Sequence, residues 1–189
     1  PIAVGETLRR LTSKCLCSSA KSKALEHFFP LQLGVAQPLG TETGLEVARQ
    51  WCHRNRYNTG AIFVKIDFAN AFNCVNRQKF LEQCRHVFPE LSCWAEWCYS
   101  NPSSLFFGET TINSQSGVQQ GDPLGPLLFS LALQPLLQDL HNRRSPGGLQ
   151  LVFSYLDDCC LAGEQTAVSE AIGLEFNSEK CEVIPAAGL

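Results

Sequence analysis

The sequence predicts an α+β fold, a sheet with helices on one face, and three stretches carry that reading. Residues 61–67, Ala-Ile-Phe-Val-Lys-Ile-Asp, are mostly apolar and β-branched, the composition of a buried strand that ends in an acid. Residues 153–161, Phe-Ser-Tyr-Leu-Asp-Asp-Cys-Cys-Leu, set two carboxylates between two strand-forming runs. That pattern reads as a tight hairpin with the acids at its tip. Residues 120–142 carry Leu127, Leu128, Leu131, Leu133, Leu136 and Leu137 at helical spacing, a long amphipathic helix whose leucines face a core.

The other elements follow in order. Leu8, Leu11, Cys15 and Leu16 have helical spacing across residues 6–17, with basic residues between them. Pro30 and Pro38-Leu39-Gly40 mark a loop region, after which Thr41 is a plausible N-cap for a helix to Arg56. Asn58-Thr59-Gly60 is a turn into the first strand. Asn76 can cap a helix holding Phe80, Leu81, Cys84 and Phe88; Pro89 ends it, and a second helix is expected from Glu90 to Tyr99. Residues 104–119 read as a hairpin turning at Gly108-Glu109-Thr110, its second arm running on to Val118. Ser145-Pro146-Gly147-Gly148 turns the chain into the strand leading to Asp157. A short helix at 165–172 and a strand at 180–184 complete the order.

Composition narrows the class. At 189 residues, with 44% hydrophobic and 17% charged residues, the chain is of ordinary globular composition and long enough for one core or two small lobes. The net charge of −3 does not advertise nucleic-acid binding, yet residues 1–23 hold Arg9, Arg10, Lys14, Lys21 and Lys23 against Glu6 alone. A basic face of that kind can coexist with an acidic cleft. The ten cysteines include no C-x2-C pair with matching partners, which argues against zinc and for buried, reduced thiols in an intracellular protein. No run approaches the roughly 18 apolar residues of a membrane span. The chain starts at Pro1, holds no Met and stops at Leu189, which reads as a piece of something larger.

Two adjacent carboxylates on a hairpin are unfavourable without a neutralising charge, and a divalent cation supplies one. A turn pair with local hydrogen bonds is the plainer alternative. Asp67, at the end of a strand that can neighbour the hairpin, tips the balance. Three carboxylates aimed at one point, with no His or thiol among them, suit hard ions such as Mg²⁺ or Mn²⁺. Two such ions about 3.5–4 Å apart serve in-line displacement at phosphorus.

The strings Phe63-Val64-Lys65-Ile66-Asp67-Phe68-Ala69-Asn70-Ala71-Phe72-Asn73, Gln119-Gln120-Gly121-Asp122-Pro123-Leu124-Gly125-Pro126, Tyr155-Leu156-Asp157-Asp158 and Gly173-Leu174-Glu175-Phe176-Asn177-Ser178-Glu179-Lys180-Cys181 occur in that order. They resemble motifs A to D of reverse transcriptases of the non-LTR retrotransposon kind. The resemblance implies a right-hand polymerase: a partial fingers segment over 1–60 and a palm over 61–189, with a fingers-like insertion around 75–115 and the thumb absent. It implies an antiparallel palm sheet backed by helices and an RNA-directed DNA polymerase that adds dNMP from dNTP to a primer 3′-hydroxyl with two Mg²⁺ (or Mn²⁺) ions. Asp67, Asp157 and the backbone carbonyl of Phe68 would be metal ligands, with Asp158 as the third carboxylate. Phe72 would be an aromatic gate beneath the sugar. Gln120 and Gly121 would line the nucleotide pocket, Leu156 would lie under the primer-terminal pair, and Lys180 would protonate the leaving group. Arg9 and Arg10 would reach the triphosphate from the fingers.

Partners implied are an RNA template, a DNA primer and dNTP, with no membrane, in the nucleus or cytoplasm; the sequence leaves the oligomeric state open. Trp94 and Trp97 could stack on bases, but at i and i+3 of a helix they read as core. The family usually fits a full helix between motifs C and D, whereas only 14 residues separate Asp158 from Gly173. That shortening keeps a second reading open: a catalytically inactive, truncated or domesticated remnant that binds nucleic acid or a protein partner.

Overall fold

The structure is a computed structural model that describes residues 5–172 and 181–186. Helices α1 (Thr7–Ser19), α2 (Lys21–Phe28) and α3 (Gly40–Asn55) precede strand β1 (Ala61–Ile66). Helices α4 (Ala71–Cys74), α5 (Arg77–Val87) and α6 (Pro89–Tyr99) lead to the hairpin β2 (Ser103–Phe107) and β3 (Thr110–Ser114). Helix α7 (Gly125–Asn142), β4 (Leu149–Tyr155), β5 (Asp158–Glu164), α8 (Gln165–Ile172) and β6 (Cys181–Pro185) follow. The chain divides into two compact units, each drawn from two separated stretches. The described residues of Pro1–His27 and Ala69–Leu133 form one; those of Phe28–Phe68 and Gln134–Leu189 form the other.

The second unit contains a four-stranded sheet in the order β4-β5-β1-β6, antiparallel at every pairing. Strand β1 is central because its sequence tolerates burial on both sides. Phe63 and Val64 point to opposite faces, and both are buried, at 8% and 0% exposure. Both faces are therefore covered, not one as the order of elements suggested. On one face Phe63, Phe153, Ala61 and Ala162 form a cluster with Leu33 and with Trp51 of α3. The Trp51 indole N–H is satisfied by donating to Gln150 Oε1 at 2.9 Å. Helix α8 packs on β5, β1 and β4. Thr41 does not cap α3. The N-cap lies two residues earlier, at Leu39 in a left-handed conformation (φ 53°), and Thr43 Oγ1 donates back to the Leu39 carbonyl at 2.9 Å.

In the first unit α5 and α6 pack together through Phe80, Leu81, Cys84, Leu91, Ala95, Cys98 and Tyr99, all buried. Asn76 caps α5 as its sequence predicts, accepting from the Lys79 amide at 3.1 Å, and Pro89 opens α6 at a position where no amide hydrogen is needed. The β2–β3 arms are joined at Gly108-Glu109, where Gly108 takes φ 58°. The second arm stops at Ser114 instead of Val118. Residues 115–117 leave the ladder where Arg77 takes up the carbonyls at its end, donating to Ser114 O (3.0 Å), Ser116 O (3.3 Å) and Gly117 O (2.9 Å). The short α2 and α4 lack a strong periodic signal and were not expected. Trp97 is not core: it is 69% exposed and stacks on Trp94 at 4.9 Å, whereas Trp94 is half-buried and its indole N–H donates to Ser13 Oγ at 3.1 Å. Along α7, Leu127, Leu128, Leu131 and Leu137 are buried as expected, while Leu136 is 46% exposed.

The cysteines divide. Cys84, Cys98 and Cys159 are buried thiols, but Cys15, Cys74 and Cys93 are exposed, so the expectation of buried thiols holds for only part of the set. Burial pushes the Cys84 and Cys159 thiols up to about 12 and the Cys98 thiol up to about 11. Since the thiolate is the nucleophile, these three should resist alkylation at neutral pH. Peptide mass spectrometry after iodoacetamide treatment should find Cys15, Cys74 and Cys93 modified first. Equal labelling of Cys159 in the native protein would contradict this packing. Among the described residues no helix is long and apolar enough to cross a membrane.

Candidate active site

The carboxylates belong to the sheet-bearing unit, and the register places them. Ile66 at the end of β1 pairs with Cys159 of β5, so Asp67, the next residue, leaves β1 at the end of the sheet where β5 begins with Asp158. Strand β4 pairs with β5 as far as Tyr155 opposite Asp158, which leaves Leu156 and Asp157 as a two-residue turn. Leu156 has φ 55° and Asp157 does not share the left-handed region, the pattern of a II′ hairpin turn. The tip thus holds one acid, not two: Asp158 is already the first residue of β5. Asp67 is exposed, whereas Phe68, Asp157 and Asp158 are half-buried.

Asp158 has a partner that the sequence did not reveal. Its Oδ1 lies 3.2 Å from Lys65 Nζ, with both side chains about half exposed. The pair is diagonal across β1 and β5 on one sheet face, a placement only the register creates. The hydrogen bond and charge of Asp158 hold the Lys65 ammonium above its ordinary pKa. Among the described residues, no group of three or more His, Cys, Asp and Glu side chains is arranged to hold a metal ion. The expected convergence of three carboxylates is therefore not present. The residues still fit Mg²⁺, which is often held by one or two carboxylates and completed by substrate phosphates and water. Asp67, Asp157 and the Phe68 carbonyl, all hard oxygen donors at one end of adjoining strands, are of that kind.

Phe72, Gln120 and Gly121 lie together in the first unit, around a cavity of about 390 Å³ that Gln119, Asp122, Pro123, Gly125 and Pro126 also line. The backbone joins them: Val118 N donates to Phe72 O at 2.7 Å and Gly117 N to Val75 O at 3.0 Å. Phe72 is stacked on Phe129 of α7, with ring centroids 4.5 Å apart and planes 15° from parallel. The two glutamines differ in use. Gln119 is buried and donates to Ser103 Oγ at 2.8 Å, while Gln120 is half-buried at the cavity. Gly121 takes φ 109°, a backbone state in which a side chain would be strained.

Arg9 is occupied. Its Nη2 lies 3.0 Å from Asp122 Oδ2, and the two side chains are 14% and 2% exposed. Tyr99 Oη donates to the same oxygen at 2.7 Å, and Asp122 Oδ1 accepts from the Leu124 amide at 3.0 Å. Burial and the neighbouring carboxylate push the Tyr99 hydroxyl well above its ordinary pKa. Arg9 therefore holds the Gln120-Gly121 loop in place instead of offering a free cation. Arg10 is exposed. Lys180 and most of the fourth motif lie outside the described residues.

Two solved structures share the fold, each over 94% of this chain. One is apo telomerase from Candida tropicalis truncated from its C-terminal domain (TM-score 0.56, 13% identity, 40% of that chain). The other is telomerase from Candida albicans in complex with a fragment of telomeric RNA (TM-score 0.57, 11% identity, 34% of that chain). The fold is that of the right-hand polymerases. Residues 5–186 match the family described as reverse transcriptase (RNA-dependent DNA polymerase), and the chain belongs to that family. A curated relative, the retrotransposable element SLACS 132 kDa protein of Trypanosoma brucei gambiense, is 27% identical over 212 aligned positions. That alignment takes in all of this chain and spans 16% of the relative's length.

Proposed function

We propose that this chain is the polymerase domain of a non-LTR-type retrotransposon protein, copying RNA into DNA. The observation that supports the reading is the pairing of β1 with β5 as far as Ile66 opposite Cys159, after which Asp67 follows at the end of the sheet where the Leu156-Asp157 turn joins β4 to β5. Asp67, Asp157 and the Phe68 carbonyl would hold two Mg²⁺ or Mn²⁺ ions. With these bound, the site gains the Lewis acidity that lowers the pKa of a primer 3′-hydroxyl and neutralises the departing pyrophosphate. Leu156 would support the primer-terminal pair, and Lys180 and Arg10 would approach the triphosphate. The sheet-bearing unit would act as palm, and the other, which takes in the fingers-like insertion expected around 75–115, as fingers.

Primer extension on an RNA template with Mg²⁺ and dNTPs tests the proposal, and extension that is undetectable with the intact protein would refute it. A second reading, nucleic-acid or protein binding without catalysis, draws support from the Lys65–Asp158 pair, which neutralises one expected ligand. Binding without extension, unaffected by loss of Asp157, would favour it.

In this scheme the Phe72 ring excludes ribose by occupying the space a 2′-hydroxyl needs. Its stacking on Phe129 keeps the ring in place. Phe72→Val should improve the kcat/KM ratio for rNTP over dNTP by about 10- to 100-fold, the range a reshaped pocket commands. An unchanged ratio would remove Phe72 from the gate.

A further inference from the structure

The Leu156-Asp157 turn is held from outside the hairpin, by a side chain for which the polymerase reading has no role. Gln32 lies in the loop between α2 and α3 and is fully buried. Its Oε1 accepts from the Leu156 amide at 2.7 Å, and its Nε2 donates to the Leu156 carbonyl at 3.1 Å. The Gln32 side chain thus pairs with both polar groups of one residue, as a neighbouring strand would. The same Oε1 accepts from the Gly34 amide at 3.0 Å, which fixes the amide group in its own loop. Backbone bonds anchor the loop on β4: Leu33 N to Ser154 O and Ser154 N to Leu31 O, both 2.7 Å. Ser154 Oγ adds a second donor to the Leu156 carbonyl at 2.6 Å.

The residue so held is the one that needs it. Leu156 has φ 55°, a region that bulky side chains rarely occupy. Gly34 shows how closely the loop is fitted. A Cβ built there would lie 2.7 Å from the Leu156 amide nitrogen and 2.6 Å from its Cγ, so any side chain must displace the turn. No other side chain serves as well. Asn is one methylene short, Glu at neutral pH has no donor, and Met has neither donor nor acceptor.

We propose that Gln32 is a positioning residue that fixes the Leu156 peptide, and through it the direction of Asp157, with Gly34 supplying the clearance. This inference rests on the polymerase reading for its consequence but not for its geometry.

The test uses the full-length protein with Gln32→Met and Gly34→Ala, read by amide hydrogen exchange and by primer extension. Exchange at the Leu156 amide should accelerate at least about tenfold, the equivalent of one lost buried hydrogen bond. The kcat should fall about 100-fold, the cost of misplacing a group by roughly 1 Å. The KM for dNTP should stay within about threefold, because that pocket is built from other residues. Gln32→Glu, which keeps the acceptor alone, should restore part of the Leu156 protection. Overturning results would be Leu156 exchange and kcat both within twofold of the parent, or exchange rising equally across β1, β4 and β5 with kcat unchanged below the melting temperature. If Gln32→Met does not fold, the same readings on Gly34→Ala decide. Accelerated Leu156 exchange in a protein whose parent extends no primer would sink the polymerase reading and leave the clamp standing.

Discussion

Asp157→Asn should reduce primer extension by at least about a thousandfold while leaving the fold intact. Charge stabilisation by a bound divalent ion is worth several kcal/mol, and each 1.36 kcal/mol is a factor of ten in rate. In the proposed reading, removing one of the two carboxylates that would bring the ions in should forfeit most of that. Asn is the right probe because it preserves the shape of the turn residue after Leu156, so circular dichroism and melting temperature should match the parent. Single-turnover extension at saturating Mg²⁺ measures the loss. A residual rate above roughly a tenth of the parent would move the ligand role away from Asp157. Asp158→Asn is the informative comparison. Asp158 sits on the strand and is paired with Lys65 at 3.2 Å, so its loss should weaken extension less than loss of Asp157.

The second large effect is on stability. Asp122→Ala should destabilise the chain by about 3–5 kcal/mol, the cost of leaving a mostly buried cation without its partner. The side chain is 2% exposed and serves three donors, from Arg9, Tyr99 and the Leu124 amide. For a chain of this size the melting temperature should drop by roughly 10 °C. Urea denaturation of the single variants and of Asp122→Ala with Arg9→Met should show a coupling energy of about 1 kcal/mol or more. A loss below about 1 kcal/mol for Asp122→Ala would mean that water replaces the carboxylate. The same series separates two roles for Arg9. Held at Asp122, its replacement should cost stability before it raises the KM for dNTP; a triphosphate contact would do the reverse.

What could be read from the sequence follows from how much of each feature is local. Strand β1 was visible because a strand buried on both faces must be almost continuously apolar, and 61–66 is. A turn before β5 was visible because two acids interrupt two strand-forming runs, but its place was off by one residue: the turn is Leu156-Asp157 and Asp158 belongs to β5. The Asn76 cap and Pro89 start were visible because capping chemistry lies within four residues of a helix end. The second arm of the β2–β3 hairpin was overextended because its end is set by Arg77, far back in the chain. Trp97 was assigned to the core because spacing gives the side of a helix but not what covers it.

The residue types raised the expectation of hard-cation chemistry at Asp67 and Asp157, and the resemblance added that of a nucleotide pocket at Phe72, Gln120 and Gly121, which line one cavity. Three things depended on the tertiary structure. Pairing register turned Asp158 from a tip residue into a strand residue facing Lys65. Long-range contact made Arg9 the counter-ion of Asp122. Burial put Gln32, an unremarked glutamine in Leu31-Gln32-Leu33-Gly34, against the Leu156 peptide. The physical reason is the same in each case. A motif records which groups a reaction needs, because that chemistry constrains residue identity at fixed positions. Which charge neutralises which, and which side chain holds a turn, is settled by distances between segments that the chain brings together only on folding.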